Sequence, residues 1–395
     1  MNTFTRFQIA ALLTASLFVQ NSQANNEWSG SVGAEWQAFR HDSSNDEQSQ
    51  NYLSIVFKPE YVHEWNDGQH QLLFSGFARL NNNNENQTHL DVRELYWNYA
   101  SDSWEIRTGI RKVFWGVTES QHLVDIINQT DGVERFDGEE KLGQPMINIA
   151  YIQDWGTLDF FVLPGFRERS FPSEDARLRP PFILDNDDAT YDSSLERKNV
   201  DLALRYSHYL GDWDFGISHF YGNSREPRIV SGNGGLYPHY DLIHQTGVDV
   251  QATIESWLWK FEGIHRSGMA DNYFAATFGL EYSFFDIQSS GVDLGIVAEY
   301  LYDERGNEAS TPFEDDSLIG LRLALNDEQS TEALLGIIVD NEGDGNVLNL
   351  EASRRIGDSF KINLEASLFF DGDVNDQLYA FQKDDYAQLT LSYFY

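Results

Sequence analysis

The chain is dominated by a two-residue alternation of apolar and polar side chains. In residues 360–370 apolar side chains occupy every even position, and lysine, asparagine, glutamate and serine occupy most odd positions. Residues 247–255 and 291–302 alternate in the same way. A period of two is that of a β-strand with one apolar face, and about ten residues is the length of a tilted strand that crosses a lipid bilayer. The pattern therefore predicts an all-β protein.

The connections between these segments alternate in length. Long polar connections, such as 41–50, 114–144 and 165–193, are each followed by a tight turn, such as 66–68 or 154–156. Single-chain outer-membrane barrels have long loops at one end and short turns at the other. A β-sandwich would explain the alternation of residues but not the alternation of loop lengths. We therefore predict a transmembrane antiparallel β-barrel with periplasmic termini.

Eighteen strands are predicted, and 16 is the alternative because two hairpins are weakly patterned. Eight of the nine prolines lie at predicted strand ends or in loops, whereas Pro59 lies within the predicted strand 51–64. Tryptophans cluster near strand ends, where interfacial girdles lie. The predicted strands are 28–39, 51–64, 69–80, 88–100, 104–113, 145–153, 157–164, 195–209, 213–222, 243–255, 257–266, 273–285, 292–303, 317–325, 331–340, 346–355, 360–370 and 386–395.

The first 24 residues have the three regions of a secretory signal peptide. Arg6 supplies the positive charge, residues 9–19 form the apolar region, and Ser22 and Ala24 are the small residues of a cleavage site. A membrane anchor is the alternative, but the apolar run is too short to span a bilayer. Residues 25–395 are then predicted to form a single barrel domain.

The composition excludes several classes of partner and site. The chain has 63 acidic and 27 basic residues, a formal net charge of −36, which argues against nucleic acid or bare anionic lipid as a partner. It has no cysteine, so it can form neither a disulfide nor a thiolate metal site. Aromatic residues make up 14% of the chain, a high share for so acidic a protein.

The last ten residues alternate up to a final tyrosine. They resemble the C-terminal signal by which Gram-negative outer-membrane barrels are recognised for assembly, with Leu389, Leu391, Tyr393 and Tyr395 at its alternate positions. Tyrosine stands where phenylalanine is the commoner last residue. The resemblance implies an outer-membrane protein of a Gram-negative bacterium, in contact with lipid, lipopolysaccharide and the barrel assembly machinery.

The alternation also identifies side chains that face the lumen. In the predicted strands 69–80, 88–100 and 104–113, the face opposite the apolar side carries basic residues, and a bulge is expected near Glu94. We predict that this strip lines a channel. Its members are Arg79, Arg93, Arg107 and Arg111, with Glu105 beside them.

The long connection 114–144 combines acids with an apolar stretch at 123–127. A fully solvated loop would not need that stretch, so we predict that the connection folds into the lumen. Its acids would then face the arginines across the narrowest point and set up a transverse field. The alternative is an extracellular cap, with the arginines paired locally to Asp91, Glu94 and Glu105. The predicted constriction residues are Glu119, Asp125, Asp131, Glu134 and Asp137.

Three stretches in this region, VRELYW (92–97), IRTGIRKVFWG (106–116) and DIINQTD (125–131), resemble a signature of porin-like outer-membrane families in proteobacteria. Gln129 stands where those families usually have proline. The resemblance covers about 40 residues and implies a channel, without naming a substrate. The matching residues are Arg93, Glu94, Arg107, Gly109, Trp115, Gly116, Asp125 and Asn128.

Together these features predict a porin-like channel for passive diffusion of small solutes or ions, with a preference for cations because of the acidic excess. A substrate-specific channel or an exporter of acidic polysaccharide is the alternative, since arginines suit an acidic polymer. A homotrimer is one option for the assembly.

A barrel enzyme is the alternative of another class. His219 and Ser224 are close in sequence, but no serine lies in a nucleophile elbow and no His-x-x-x-His pair occurs. We therefore predict neither catalysis nor a resident cofactor or metal. The acidic stretches 185–188, 342–345 and 371–373 could bind Ca²⁺ or bridge lipopolysaccharide through divalent cations.

Overall fold

The computed structural model describes residues 24–395 except 44, 136, 185–187, 233–234, 343–344, 371 and 373–376. The predicted signal peptide, apart from Ala24, lies outside the described residues. The chain forms a closed, antiparallel barrel of 18 strands and a separate sheet of three short strands. The predicted fold class and the count of 18 rather than 16 are confirmed. No helix among the described residues is long and apolar enough to cross a membrane.

Every predicted strand has a counterpart in the barrel, and β8, β11 and β12 are the three that form the separate sheet. The strands are β1 (Ala24–Phe39), β2 (Asn51–Trp65), β3 (His70–Asn81), β4 (His89–Ala100), β5 (Trp104–Arg111), β6 (Gln144–Gln153), β7 (Gly156–Pro164), β8 (Thr190–Tyr191), β9 (Val200–Leu210), β10 (Trp213–Asn223), β11 (Arg228–Gly232), β12 (Gly235–Tyr240), β13 (Leu242–Ile254), β14 (Trp257–Ser267), β15 (Tyr273–Phe284), β16 (Asp293–Asp303), β17 (Asp315–Ala324), β18 (Glu332–Asp340), β19 (Asn346–Ile356), β20 (Phe360–Phe370) and β21 (Tyr386–Phe394). Four short 3₁₀ helices lie at Glu196–Lys198, Ile287–Ser289, Gly306–Glu308 and Gln377–Phe381.

The barrel closes by pairing of the first and last strands. β1 is hydrogen-bonded to β2 on one side and to β21 on the other, in a register that runs from Ser31 opposite Phe394 to Phe39 opposite Tyr386. A closed ring leaves no strand edge, so the backbone groups are satisfied by neighbouring strands. The start of β1 at Ala24, the C-terminus and the short turns share one end, which we call the turn end, and the opposite end is the loop end.

Four strand boundaries differ from the prediction by two or more residues. β1 begins at Ala24 instead of 28, and β17 begins at Asp315 instead of 317. The strand predicted at 104–113 stops at Arg111, because the backbone N–H groups of Lys112 and Val113 donate to the side chains of Glu94 and Asn128 instead of to a neighbouring strand. The strand predicted at 195–209 begins at Val200, after the 3₁₀ turn at Glu196–Lys198.

A bulge interrupts the pairing of β3 with β4. Ser75 is opposite Glu94 and Gly76 is opposite Val92, so Arg93 is the extra residue of β4. This is the position at which the sequence predicted a bulge. The additional residue lets Arg93 and Glu94 both contribute to the inner face, which changes the simple alternation there.

The outer face of the barrel is apolar and carries aromatic contacts near the turn end. Leu90 is 82% exposed and Leu80 is 64% exposed on this face, as expected of side chains that meet lipid. The rings of Trp104 and Tyr151 are 4.4 Å apart, and Trp155 continues the row at 6.1 Å from Tyr151. These rings are placed as an interfacial girdle is.

Deletion of Tyr393–Tyr395 should weaken barrel closure. It removes the hydrogen bonds from Phe394 N–H to the Ser359 carbonyl (2.7 Å) and from Tyr395 N–H to the Gly30 carbonyl (3.2 Å), together with the contact of Tyr393 with Phe360. We expect the truncated protein to lose the heat-modifiable folded band in electrophoresis after refolding in detergent. The matched control replaces the same three residues with alanine, which keeps the backbone bonds. Equal folding of the deletion and the wild type would contradict this account of closure.

Candidate functional site

The connection between β5 and β6, residues 112–143, lies inside the ring of strands, and we call it the inner loop. Its Glu134 carboxylate is 2.9 Å from the Arg79 guanidinium on β3, while its Glu119 carboxylate is 2.6 Å from the Arg322 guanidinium on β17. These two contacts reach well-separated parts of the barrel wall. The inner loop therefore crosses the interior from one side to the other.

The tip of the inner loop is held by Glu262, on the inner face of β14. One carboxylate oxygen accepts from the N–H groups of Val117 (2.6 Å) and Thr118 (3.0 Å) and from the Thr118 hydroxyl (2.8 Å). The other accepts from the N–H of Val124 (3.2 Å). Glu262 is completely buried. Hydrogen bonds to an ionised acceptor are stronger than neutral ones, so this side chain is the main anchor of the tip.

Glu299, on β16, holds the next two residues. Its carboxylate accepts from the N–H of Glu119 (2.7 Å), the N–H of Ser120 (2.8 Å) and the Ser120 hydroxyl (2.6 Å). Backbone groups inside a barrel cannot all find strand partners, and an unsatisfied one is costly. The two glutamates thus supply acceptors that the loop itself lacks.

The base of the inner loop is fixed by Asn128. Its side-chain oxygen accepts from Val113 N–H (2.8 Å), and its amide group donates to the carbonyls of Arg111 and Leu142, each at 2.9 Å. One side chain therefore joins the entry and the exit of the loop. Asp125 likewise accepts from Trp115 N–H at 3.2 Å.

A glycine of the same signature is required by close backbone approach. Gly109 has φ of +136°, and a Cβ there would lie 2.2 Å from the carbonyl oxygen of Leu95. Asp125 and Asn128 thus hold the inner loop, and Gly109 allows β5 to pack closely on β4. All three belong to the stretches that resemble the porin-like signature.

The apolar stretch of the inner loop packs on the inner wall of β6 to β15. This cluster contains Trp115, Val124, Ile126, Ile127, Met146, Phe161, Leu163, Ala203, Phe220, Ile243, Ile264, Tyr273 and Ala275. Burial of such side chains is favourable, and here it occurs inside the barrel. The inner loop consequently fills one side of the interior with a hydrophobic core.

Two predicted lining arginines are buried in direct ion pairs. Arg79 is 2.6 Å from Glu35 and 2.9 Å from Glu134, and it is 8% exposed. Arg93 is 2.6 Å from Asp131 and 2.9 Å from Asp91, and it is 3% exposed. The expectation that Asp131 and Glu134 face the arginines across an open gap is therefore corrected. These charges are in contact, since burial of unpaired charges would be costly.

The other members of the strip interact mainly within the wall. Arg107 pairs with Glu105 and donates to the Asn148 side chain at 3.1 Å. Arg111 donates to the same Asn148 oxygen at 3.1 Å and lies 5.6 Å from the centre of the Tyr96 ring. For Arg107, local pairing with Glu105 is the arrangement that the sequence left open as the alternative.

The remaining predicted loop acids do not face the arginine strip. Glu119 lies beside Arg322 and Lys260 on the far wall. Asp125 is buried 3.5 Å from Lys141, and its burial raises the pKa of its carboxyl. Asp137 accepts a 2.8 Å hydrogen bond from Arg135. These three acids were predicted to face the arginine strip, and the structure places them elsewhere, because alternation within a strand carries no information on the path of a loop.

Arg135 connects the inner loop to the wall opposite the hydrophobic core. Its guanidinium is 3.1 Å from Glu365 on β20 and 3.8 Å from Glu351 on β19. The Glu351 side chain remains 62% exposed although it is on the inner face. Lys58 and Glu60, on the inner face of β2, are also exposed. This side of the interior is therefore polar and solvated.

The loop end above the polar side is covered by segments of three loops. Arg177 donates to the Asp384 carboxylate (2.6 Å) and to the carbonyls of His41 (3.0 Å) and Lys383 (2.6 Å). Its guanidinium also lies 4.5 Å from the centre of the Phe39 ring. Arg177 is only 4% exposed, so it links the three loop segments through buried hydrogen bonds.

The residues considered for catalysis are not brought together. His219 is exposed on β10 and contacts Thr246, whereas Ser224 is completely buried and donates to the carbonyl of Glu226. The acidic stretches considered for Ca²⁺ fall largely outside the described residues, at 185–187, 343–344, 371 and 373.

A group of potential metal ligands, which no sequence pattern had indicated, lies at the loop end. Asp192, His239 and Asp241 have ligand atoms within 4.8 Å of one another. Arg228 already donates to Asp241 at 2.7 Å and belongs to the same group of contacts. A guanidinium in this position competes with a cation for the carboxylate.

Comparison with known proteins gives matches in structure alone. No protein-family model matches the sequence, and no curated protein matches it significantly. OccD3 (OpdP) of Pseudomonas aeruginosa superposes with a TM-score of 0.55 at 9% identity, covering 94% of this chain and 91% of that chain. A BenF-like porin from Pseudomonas fluorescens Pf-5 gives 0.54 at 10% identity, covering 94% and 98%.

A third structure with this fold carries a different description. Wzi of Escherichia coli, an outer membrane protein involved in group 1 capsule assembly and named a carbohydrate-binding β-barrel, gives a TM-score of 0.54 at 10% identity, covering 92% of this chain and 83% of that chain. At these identities the likeness shows a shared fold. Porins and Wzi are matched about equally well.

The replacement Glu262→Gln should loosen the tip of the inner loop. It removes the charge from an acceptor of several hydrogen bonds, and such bonds contribute about 1.5–3 kcal/mol each. We expect hydrogen exchange at residues 117–124 to become about 10- to 100-fold faster, in line with that range. The control Glu60→Gln changes an exposed inner-face glutamate of β2. Unchanged exchange in Glu262→Gln would contradict the anchoring role.

His122 should make the inner loop sensitive to alkaline pH. Burial opposes its charge, but Glu139 at 3.4 Å and Glu262 at 3.9 Å outweigh it and raise the pKa of His122 to about 10. The imidazolium therefore stabilises the folded loop fully below its ordinary pKa of 6.5, and this stabilisation is lost as pH rises through about 10.

Limited proteolysis in detergent should cut the inner loop faster at pH 10.5 than at pH 8. His122→Asn should be cut at similar rates at both values, since it cannot carry the charge. An identical pH response of the variant and the wild type would assign the effect to another group.

Proposed function

We propose that the protein is an outer-membrane channel in which solutes pass between the inner loop and the polar wall formed by β18 to β21 and β1 to β3. The barrel fold, which is shared with two porins, supports a membrane channel. The hydrophobic core on the other side leaves the polar side as the route for water and solutes. Outer-membrane lipid, lipopolysaccharide and the assembly machinery would be its partners, with the turn end in the periplasm.

The exposure of Glu351 carries this proposal. An ionised side chain that points into a barrel and remains 62% exposed must be hydrated. Glu351 faces the loop residue Arg135 at 3.8 Å, so water lies where the inner loop and the wall approach each other. Such an approach of charged side chains is the geometry that selects among ions in other channels.

Cations are the favoured solutes. Arg79 and Arg93 are buried against carboxylates and offer little charge to a passing ion. Glu351, in contrast, is exposed and only loosely paired with Arg135. Glu351 therefore offers a negative charge to a solute in this part of the route, in keeping with the acidic excess of the chain.

The export of acidic polysaccharide is the second candidate because Wzi, which is named a carbohydrate-binding barrel, has the same fold. It finds less support in the side chains. An acidic polymer would need accessible arginines, and those at positions 79 and 93 are buried in ion pairs. His219 and Ser224, the pair considered for catalysis, have separate partners in Thr246 and the carbonyl of Glu226.

Charge reversal at Glu351 should change ion selectivity. In planar bilayers under a KCl gradient, we expect Glu351→Lys to shift the reversal potential toward anions, because it places a cation where a hydrated carboxylate was. Arg107→Glu should have a smaller effect, since Arg107 is paired within the wall. Glu328→Lys, in the turn between β17 and β18, is the control for total charge. A reversal potential unchanged in Glu351→Lys would refute the proposed route.

Removal of the Arg177 side chain should open the loop end of the barrel. Arg177→Ala deletes hydrogen bonds to two other loops, so we expect a higher single-channel conductance and fewer transient closures than in the wild type. Arg179→Ala, two residues away, is the matched control. Equal single-channel traces for Arg177→Ala and the wild type would show that the three loop segments do not limit the entry of solutes.

A further inference from the structure

A buried carboxylate without a hydrogen-bond partner among the described residues lies at the loop end of the barrel. Asp316, near the start of β17, is 1% exposed, and neither of its carboxylate oxygens has a hydrogen-bond partner among the described residues. The N–H groups of Glu314 and Asp315 are near the carboxylate, but neither meets hydrogen-bond geometry. An ionised carboxylate buried in this way is costly unless a positive charge compensates it.

The neighbouring charges are also negative. Asp316 is directly opposite Asp340 in the register of β17 with β18, and the carboxylates of Asp340 and Glu314 act on it electrostatically. Like charges directly opposite one another destabilise a pair of strands. Asp340 and Glu314 are therefore the acidic neighbours of Asp316 at the loop end of the wall.

The surroundings below this group are apolar. Leu318 and Ile338, next along the inner faces of the same two strands, form a core with Val297 and Leu301, and Phe313 packs against it. The low polarity strengthens the repulsion among the carboxylates and equally strengthens their attraction for a cation. The position is therefore suited to a compact positive charge.

We propose that Asp316, with Asp340 and Glu314, binds a divalent oxygen-seeking cation such as Ca²⁺ at the loop end of β17 and β18. Ca²⁺ takes six to eight oxygen ligands, and carboxylates, carbonyls and water serve together in its sites. The ion would neutralise Asp316 and join the ends of the two strands. This site is independent of the proposed channel function.

The test is calorimetric titration of the EDTA-treated barrel in detergent with CaCl₂. We expect the wild type to bind Ca²⁺ and the variant Asp316→Asn to lose one site or to bind at least ten-fold more weakly. The matched control is Asp315→Asn, one residue away. Its carboxylate already accepts hydrogen bonds from the Tyr300 hydroxyl (2.9 Å) and the Asn341 amide (3.1 Å), so we expect it to bind Ca²⁺ as the wild type does.

Two results would overturn the proposal. The first is absence of Ca²⁺ binding by the wild type, with Asp316→Asn at least as thermally stable, which would mean that Asp316 is a buried neutral acid. The second is equal binding by Asp316→Asn and the wild type. Should Asp316→Asn fail to refold, Asp340→Asn takes its place, and loss of binding in that variant supports the site while full binding refutes it.

Discussion

The arrangement of the interior depends on two buried glutamates that accept hydrogen bonds from the backbone of a loop. A loop inside a barrel has donors that the strands cannot satisfy, and Glu262 and Glu299 together accept from five of them, at Val117, Thr118, Glu119, Ser120 and Val124. Without these acceptors the apolar stretch at 123–127 could not be brought against the wall of β6 to β15 at tolerable cost. The anchoring bonds and the hydrophobic core are therefore two parts of one structure.

This anchoring divides the barrel interior into unlike sides. One side is filled by a core of the kind found in soluble domains, centred on Val124, Ile127 and Phe220, each of which is completely buried. The other side is lined by polar and charged side chains, of which Glu351 is 62% exposed. A barrel of 18 strands without the inner loop would have a wide lumen. The inner loop occupies part of that lumen, and it places Arg135 3.8 Å from Glu351 on the side opposite the hydrophobic core.

The fold could be predicted from the sequence because its determinants are local. The period of two and the alternation of loop lengths repeat in most hairpins, so the fold class, the 18 strands and most boundaries followed from them. The boundary at Arg111 was missed because it depends on Glu94 and Asn128, whose side chains take the donors of the next residues. This competition between side chains and a neighbouring strand for the backbone N–H groups depends on the folded position of the loop, so the sequence alone does not reveal it.

The candidate site was less predictable because its determinants are distant in sequence. Alternation identified Arg79 and Arg93 as candidates for the inner face, but the distance to a loop acid depends on the path of the loop. Glu262 is separated from its partner Val117 by 145 residues, and in the sequence it is one inward acid among many. Its only signal was a charged residue in an otherwise apolar segment, FEGI, and nothing distinguishes that from a solvated lumen residue.

The central claim, that water and ions pass along the polar side of a partly filled barrel, is tested most directly by single-channel recording. Residues 25–395, refolded in detergent and inserted into a planar bilayer under a KCl gradient, should give a stable conductance with a reversal potential of the sign for cations. A folded, inserted barrel that carries no current would contradict the claim and would mean that the inner loop and the loop-end cover close the interior. A reversal potential of the sign for anions would still establish a channel, but it would mean that arginines, and not Glu351, determine the ion selectivity.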